Sequence, residues 1–271
     1  MRRFTIMLLA LLVTVGILPM SVTAADELDS DWLDTSKLNK GTIGIRYDAP
    51  SDKITKVIIS KGGSSYTYDL DKAKESQPLW LPLQMGNGVY SIAILENVKS
   101  NKYRSISAKT ITVKVSNATD LYLNSIQNVN WMDATKAVAK AKELTRGSKT
   151  EEEKVKAIYQ YIIGNVKYDN ALAGKVTLAY IPDIDNTLTT GKGICYGYAS
   201  LFAAMLRSSG VPTKLVMGTT TMVAVYHAWN EVYLNGKWMV VDTTVDAALK
   251  KAGKTYSFEK LTKNYKAEKT Y

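Results

Sequence analysis

Residues 191–200 read GKGICYGYAS, and residues 225–244 read VYHAWNEVYLNGKWMVVDTT. The first stretch holds Cys195, the one cysteine among 271 residues, and the second holds His227, the one histidine. Glycines at 191 and 193 precede the thiol. The run CYGYASLFAAMLRSSG that it opens has an apolar helical face through Ala199, Phe202, Ala203 and Leu206, with Gly210 and Pro212 as its stop. A thiolate at the start of such a helix faces unpaired backbone N–H groups and the positive end of the helix dipole. Those groups favour the ionised sulfur and suit an oxyanion formed after attack on a carbonyl. The competing reading is a buried cysteine acting as a small hydrophobe.

The second stretch constrains its own geometry. Asn235-Gly236 is a hairpin turn signal. With those residues as the loop, Leu234 pairs with Lys237, Trp229 lies opposite Asp242, and His227 opposite position 244. His227 and Asp242 then share one sheet face as diagonal neighbours, about 7–8 Å apart at the backbone and within side-chain reach. A one-residue slip would send Asp242 to the other face. A carboxylate there would fix the tautomer of the imidazole, whose second nitrogen would accept the thiol proton. Asp246 is a rival, beyond the end of the hairpin. The bland alternatives are a core histidine and a strand-end carboxylate. One histidine and one cysteine leave too few strong ligands for zinc, so no metal and no cofactor are expected.

Outward from these stretches, residues 150–164 combine a T-x-x-E capping box (Thr150, Glu153) with Val155, Ile158, Tyr159, Ile162 and Ile163 at spacings of three and four. That predicts an amphipathic helix closed by Gly164. Residues 134–144 predict another helix. Residues 170–193 lack a period and read as a functional or mobile loop lining the cleft. The runs TKLVMG, YHAWNEVYL and KWMVVDTT predict an antiparallel sheet, giving an α+β domain over residues 117–271. Residues 41–116 are rich in β-branched and aromatic residues, with turn signals at 61–63 and 86–88, and predict a small all-β, sandwich-like module with no chemistry of its own.

Residues 25–40 are polar and acidic and read as a linker. Residues 1–24 read as a cleaved signal peptide: Arg2 and Arg3, an apolar run from Ile6 to Leu18, then small residues before Ala25; a membrane anchor is the alternative, for which the apolar run is short. No membrane span is expected after cleavage, and the protein is expected to be secreted or on the cell surface. Removing Arg2 and Arg3 leaves 33 basic against 25 acidic residues. Scattered single lysines predict a solvated basic surface, compatible with anionic cell-wall polymers and without the basic run of a nucleic-acid binder. A single cysteine excludes an internal disulfide.

With these residues in view, TTGKGICYGYASLFAAMLRSSGVPTKLVMG and YHAWNEVYLNGKWMVVDTTVD resemble the transglutaminase-like superfamily, whose core is similar to papain-type cysteine peptidases. The likeness covers roughly residues 135–247. IYQYIIGNVKYD is similar to the helix that precedes the nucleophile in that family. The resemblance implies helices packed on an antiparallel sheet, with Cys195 as nucleophile, His227 as general base and Asp242 as orienting acid. It implies thioester acyl transfer from a peptide or protein amide to water or an amine. Tyr168 is a candidate oxyanion donor, with a core tyrosine as its alternative. The family also contains members without catalysis, so a wall-binding scaffold is the rival function.

Overall fold

The computed structural model describes residues 32–70, 76–177 and 179–271. The expected signal peptide lies outside the described residues. Among the described residues no helix is long and apolar enough to cross a membrane.

The N-terminal part is strand-rich. Strands β1 (Leu33–Asp34), β2 (Thr42–Ile45) and β5 (Leu79–Pro82) form one antiparallel sheet. Strands β3 (Thr55–Lys61), β4 (Ser64–Asp69), β6 (Gly88–Lys99) and β7 (Lys102–Val113) form another, in the order β4-β3-β6-β7. Gly62 and Gly63 both adopt positive φ, which fits a two-residue primed turn between β3 and β4. Inward-facing Ile43, Ile45, Val57, Ile59, Tyr90, Ile92 and Ile94 are all fully buried.

The linker expected through residue 40 is corrected. Trp32 is 1% exposed, Leu33 is buried, and β1 pairs with β2. Local polarity concealed an apolar anchor whose partners lie far along the chain; the Trp32 indole N–H donates to Ser107 Oγ at 2.8 Å.

The second part contains α1 (Thr135–Thr145), α2 (Glu151–Asn165), β8 (Lys167–Tyr168), α3 (Asn170–Ala173), α4 (Ile184–Thr190), β9 (Lys192–Gly193), α5 (Cys195–Ser208), β10 (Thr213–Thr220), β11 (Val223–Leu234), β12 (Lys237–Val241), α6 (Thr243–Lys251) and β13 (Tyr265–Thr270). Its sheet runs β12-β11-β10-β13, all antiparallel. Helix α5 lies on β10 and β11, with α1, α2, α4 and α6 around it. Every residue from Gly197 to Arg207 is buried, as expected for a helix enclosed on all sides. The fold is α+β, preceded by a strand-rich region.

Four expectations are adjusted here. Helix α2 runs to Asn165, with Gly164 inside its last turn. The 170–193 stretch is not a bare loop: it holds two short helices, each capped by an aspartate, Asp169 and Asp183. The run after Val241 leaves the sheet and enters α6. His227 lies inside β11, which begins at Val223, rather than opening it. A fourth strand, β13, completes the sheet from residues whose lysine-rich sequence hides their pairing.

The two parts share one continuous apolar core. Tyr66, Tyr68 and Tyr271 pack with ring centroids 5.8–6.5 Å apart. Gln127 donates its backbone N–H to Trp80 O and its side-chain amide to Asp69 O.

Candidate functional site

Cys195 is the first residue of α5, after Ile194 in extended conformation. No side chain caps this helix start. The first N–H groups of α5 therefore point past the thiol, and the first intrahelical bond runs from Tyr198 N to Ile194 O. The approach to Cys195 is set by close backbone packing. Gly191 has φ +60°, and a Cβ there would lie 2.9 Å from Asn165 O. A Cβ on Gly193 would lie 3.1 Å from Thr187 Cγ2. These glycines allow β9 to run parallel to β8, with Tyr168 beside Gly193. Asp169 N–H donates to Gly193 O at 3.0 Å, and Tyr198 Oη donates to Val166 O at 2.6 Å. Tyr168 is thereby held near the thiol. It is 41% exposed, not the core tyrosine of the alternative reading. Burial, then the neighbouring Cys195, raises its pKa, so the phenol keeps its proton at neutral pH.

From Leu234 and Lys237 to Asn230 and Val241 the hairpin register is the one that the Asn235-Gly236 turn predicts; the expected pairing of Trp229 with Asp242 and of His227 with position 244 does not form, because the chain leaves the strand at Asp242 to cap α6. Leu234 pairs with Lys237 and Asn230 with Val241, and both turn residues have positive φ. Asn230, fully buried, ties β11 to α5 and β10 by donating to Ala199 O and Lys214 O. His227 is 3% exposed and its Nε2 meets Asp242 Oδ2 at 2.8 Å. That leaves Nδ1 as the second ring nitrogen, and Cys195 is near enough to help raise the imidazole pKa. Burial pushes the imidazole pKa down. The hydrogen bonds and charges of Asp242 and Cys195 outweigh it and carry the pKa up to about 9. The imidazole is therefore cationic at neutral pH, held between a carboxylate and a sulfur.

Asp242 is fully buried and has two tasks. It caps α6, Oδ1 accepting the N–H groups of Thr244 and Val245 at 3.1 and 3.0 Å. Its Oδ2 takes His227 and also the hydroxyl of Tyr265 at 3.0 Å. The cap of α6 and the imidazole partnership coexist because the two oxygens divide them. Tyr265 was not foreseen. It lies 23 residues beyond Asp242, and no local pattern links the two. Trp229 forms a wall, its ring 6.4 Å from His227 and nearly parallel, and 5.1 Å from Tyr265.

Asp246 goes elsewhere. One turn further along α6, it accepts from Tyr159 Oη at 2.7 Å and pairs with Lys260. Burial raises its pKa, and the bonds from Lys260 and Tyr159 oppose that rise. It makes no bond to His227.

Cys195 itself is partly exposed, while His227 and Asp242 behind it are buried. The 170–193 stretch meets the site through β9 and through Tyr180, whose ring packs 6.2 Å from Tyr196. Its Ile181–Asp185 portion instead lines a separate cavity of about 690 Å³, shared with Gln77–Trp80 and Ser125–Gln127. Cys195 does not line that cavity. Among the described residues no group of three or more His, Cys, Asp or Glu side chains is placed to hold a metal.

Known proteins share part of this chain's sequence. A profile described as transglutaminase-like superfamily matches residues 138–243. Kyphoscoliosis peptidase of Homo sapiens is 30% identical over 156 residues, 54% of this chain and 22% of the human protein. Kyphoscoliosis peptidase of Mus musculus is 34% identical over 118 residues, 40% of this chain and 18% of the mouse protein. The chain thus spans less than a quarter of these relatives. The periplasmic domain of TgpA from Pseudomonas aeruginosa superposes with a TM-score of 0.41 at 14% identity, covering 81% of this chain and 94% of that one.

Proposed function

Residues 138–243 belong to the transglutaminase-like superfamily, and from that premise we propose that the protein is a thiol enzyme transferring acyl groups from peptide or protein amides. The observation that supports it most is the buried His227, whose Nε2 meets Asp242 Oδ2 at 2.8 Å, in a chain whose one thiol, Cys195, is partly exposed at the start of α5.

In this reading the imidazolium and the α5 N-terminus stabilise the Cys195 thiolate. The sulfur attacks the amide carbonyl carbon. The oxygen gathers negative charge and is met by the N–H groups at the start of α5 and by the protonated Tyr168 hydroxyl. His227 Nδ1 gives its proton to the leaving nitrogen, the C–N bond breaks, and a thioester remains on Cys195. Water or an amine then attacks the thioester, its proton passing to His227, and the C–S bond breaks. Asp242 keeps the ring oriented and charged throughout.

The test is direct. The protein and its Cys195→Ala variant are incubated with an amide-rich peptide and a labelled primary amine. Ammonia with label incorporation means transamidation, ammonia alone means deamidation, and new termini mean peptidase activity. If Cys195 in the unsubstituted protein alkylates no faster than a free model thiol, and His227→Ala does not slow it, the activated-nucleophile reading fails.

A wall-binding scaffold is the second reading. The 690 Å³ cavity between the strand-rich part and the α1–α4 region, away from Cys195, favours it. Retention of both the protein and the Cys195→Ala variant on isolated anionic wall polymer, with no amide chemistry, would select it. Export is part of the proposal and rests on Arg2, Arg3 and the apolar run of residues 6–18. Fractionation of expressing cells checks it.

A further inference from the structure

Asp242 makes more hydrogen bonds than orienting an imidazole requires. Oδ1 is occupied by two backbone N–H groups of α6, and Oδ2 is shared by His227 Nε2 at 2.8 Å and Tyr265 Oη at 3.0 Å. Tyr265 is 8% exposed and opens β13. Its place is fixed by pairing with Thr220 and by the bulge between Met217 and Gly218. A Cβ on Gly218 would lie 2.1 Å from Lys266 O, so β13 can approach β10 this closely only at a glycine. The phenol thus reaches Asp242 through strand geometry that a simple packing role would not need.

We propose that Tyr265 is a positioning residue, whose hydroxyl locks Asp242 Oδ2 against His227 Nε2 and moderates how strongly that carboxylate holds the imidazolium. The physical reason is competition for one oxygen. A neutral O–H donor stabilises the carboxylate without adding charge. It draws electron density from the oxygen that faces His227, and it restricts rotation of the carboxylate. Without the hydroxyl, Oδ2 serves His227 alone and the imidazolium becomes more stable. The groups bearing on this pair are Cys195 from α5, Tyr265 from β13, and Asp246 and Tyr159, which act on Asp242 through space from α6 and α2. Lys260 neutralises Asp246 on its far side. Thr220, the strand partner of Tyr265 on β10, also bears on the phenol.

The inference rests on the proposed reading of the site, but its test needs no turnover. His227 is the one histidine, so its ring resonances titrate without overlap in proton NMR. Tyr265→Phe keeps the ring contact with Trp229 and removes the hydroxyl. The His227 midpoint is expected to rise by about half a unit. The same substitution in an Asp242→Asn background is expected to produce no shift, because the carboxylate charge that the phenol moderates is gone. An unchanged or lowered midpoint in the Asp242 protein, or an equal shift in both backgrounds, overturns the proposal. Should Tyr265→Phe not fold, the unsubstituted protein decides: the Tyr265 hydroxyl proton should show a nuclear Overhauser effect to the His227 Nε2 proton and move at the His227 midpoint. Absence of that effect overturns the proposal equally. A protein without acyl-transfer activity that still passes these tests would refute the proposed function and leave the positioning role intact.

Discussion

Two carboxylates sit one helical turn apart at the start of α6, and both are fully buried. Asp242 faces an imidazole, a phenol and two backbone N–H groups; Asp246 faces a phenol and an ammonium. The partners separate their roles. The lysine beside Asp246 bonds that carboxylate directly and leads to no reactive group, so that pair is closed and needs nothing further. The imidazole beside Asp242 can gain or lose its proton, and its far nitrogen looks toward a partly exposed thiol. Burial alone does not mark a carboxylate as functional; what matters is whether its partner can change charge and reach something reactive.

That contrast can be broken by experiment. The largest effect is expected from Asp242→Asn, which leaves His227 without its anion. In the acyl-transfer assay, kcat should fall by on the order of 10⁴, as when the orienting acid of a triad becomes an amide. Asp246→Asn should leave the rate of Cys195 alkylation nearly unchanged. It strands the charge of Lys260 and should cost about 3 kcal/mol in chemical denaturation. Equal effects of the two substitutions on alkylation would erase the distinction.

The next expectation concerns pH. The folded pKa of His227, about 9, lies above its unfolded value of about 6.5. The folded state therefore binds the proton more tightly. The stability this contributes is fully present below about pH 6.5 and is lost as pH rises through about 9, a total on the order of 2–3 kcal/mol. Urea unfolding from pH 6 to 10 should show this decline, and Asp242→Asn should flatten it. A flat curve in the unsubstituted protein would mean that the imidazole is not held as a cation.

The smallest effect concerns the mouth of the site. Tyr168→Phe should slow acyl transfer about tenfold, because backbone N–H groups at α5 still serve the oxyanion. Alkylation by iodoacetamide, which forms no oxyanion, should keep its rate. Equal slowing of both reactions would assign Tyr168 to thiol activation instead.

Much of the site was legible because its determinants are local. The Asn235-Gly236 turn fixes the β11–β12 register as far as Asn230 and Val241, and Asp242, the next residue, meets His227 from the cap of α6. Glycine, an uncapped start and an apolar period place Cys195 at the head of α5. The same locality made α1 and α2 readable. The reading failed where long-range pairing overrode local texture. Trp32 and Leu33 sit in a polar, acidic stretch yet are buried by strands further along the chain. Strand β13 reads as lysine-rich tail but pairs with β10.

The sequence by itself determined the chemistry on offer: one thiol, one imidazole, and a carboxylate that a two-residue turn brings to the end of the neighbouring strand. Only the tertiary structure decided how that carboxylate is shared. Tyr265 reaches Asp242 across a strand pairing, and Lys260 takes Asp246 out of contention. Both contacts depend on where distant segments dock, and docking is settled by burial and backbone pairing across the whole sheet, which a local pattern of residues does not encode.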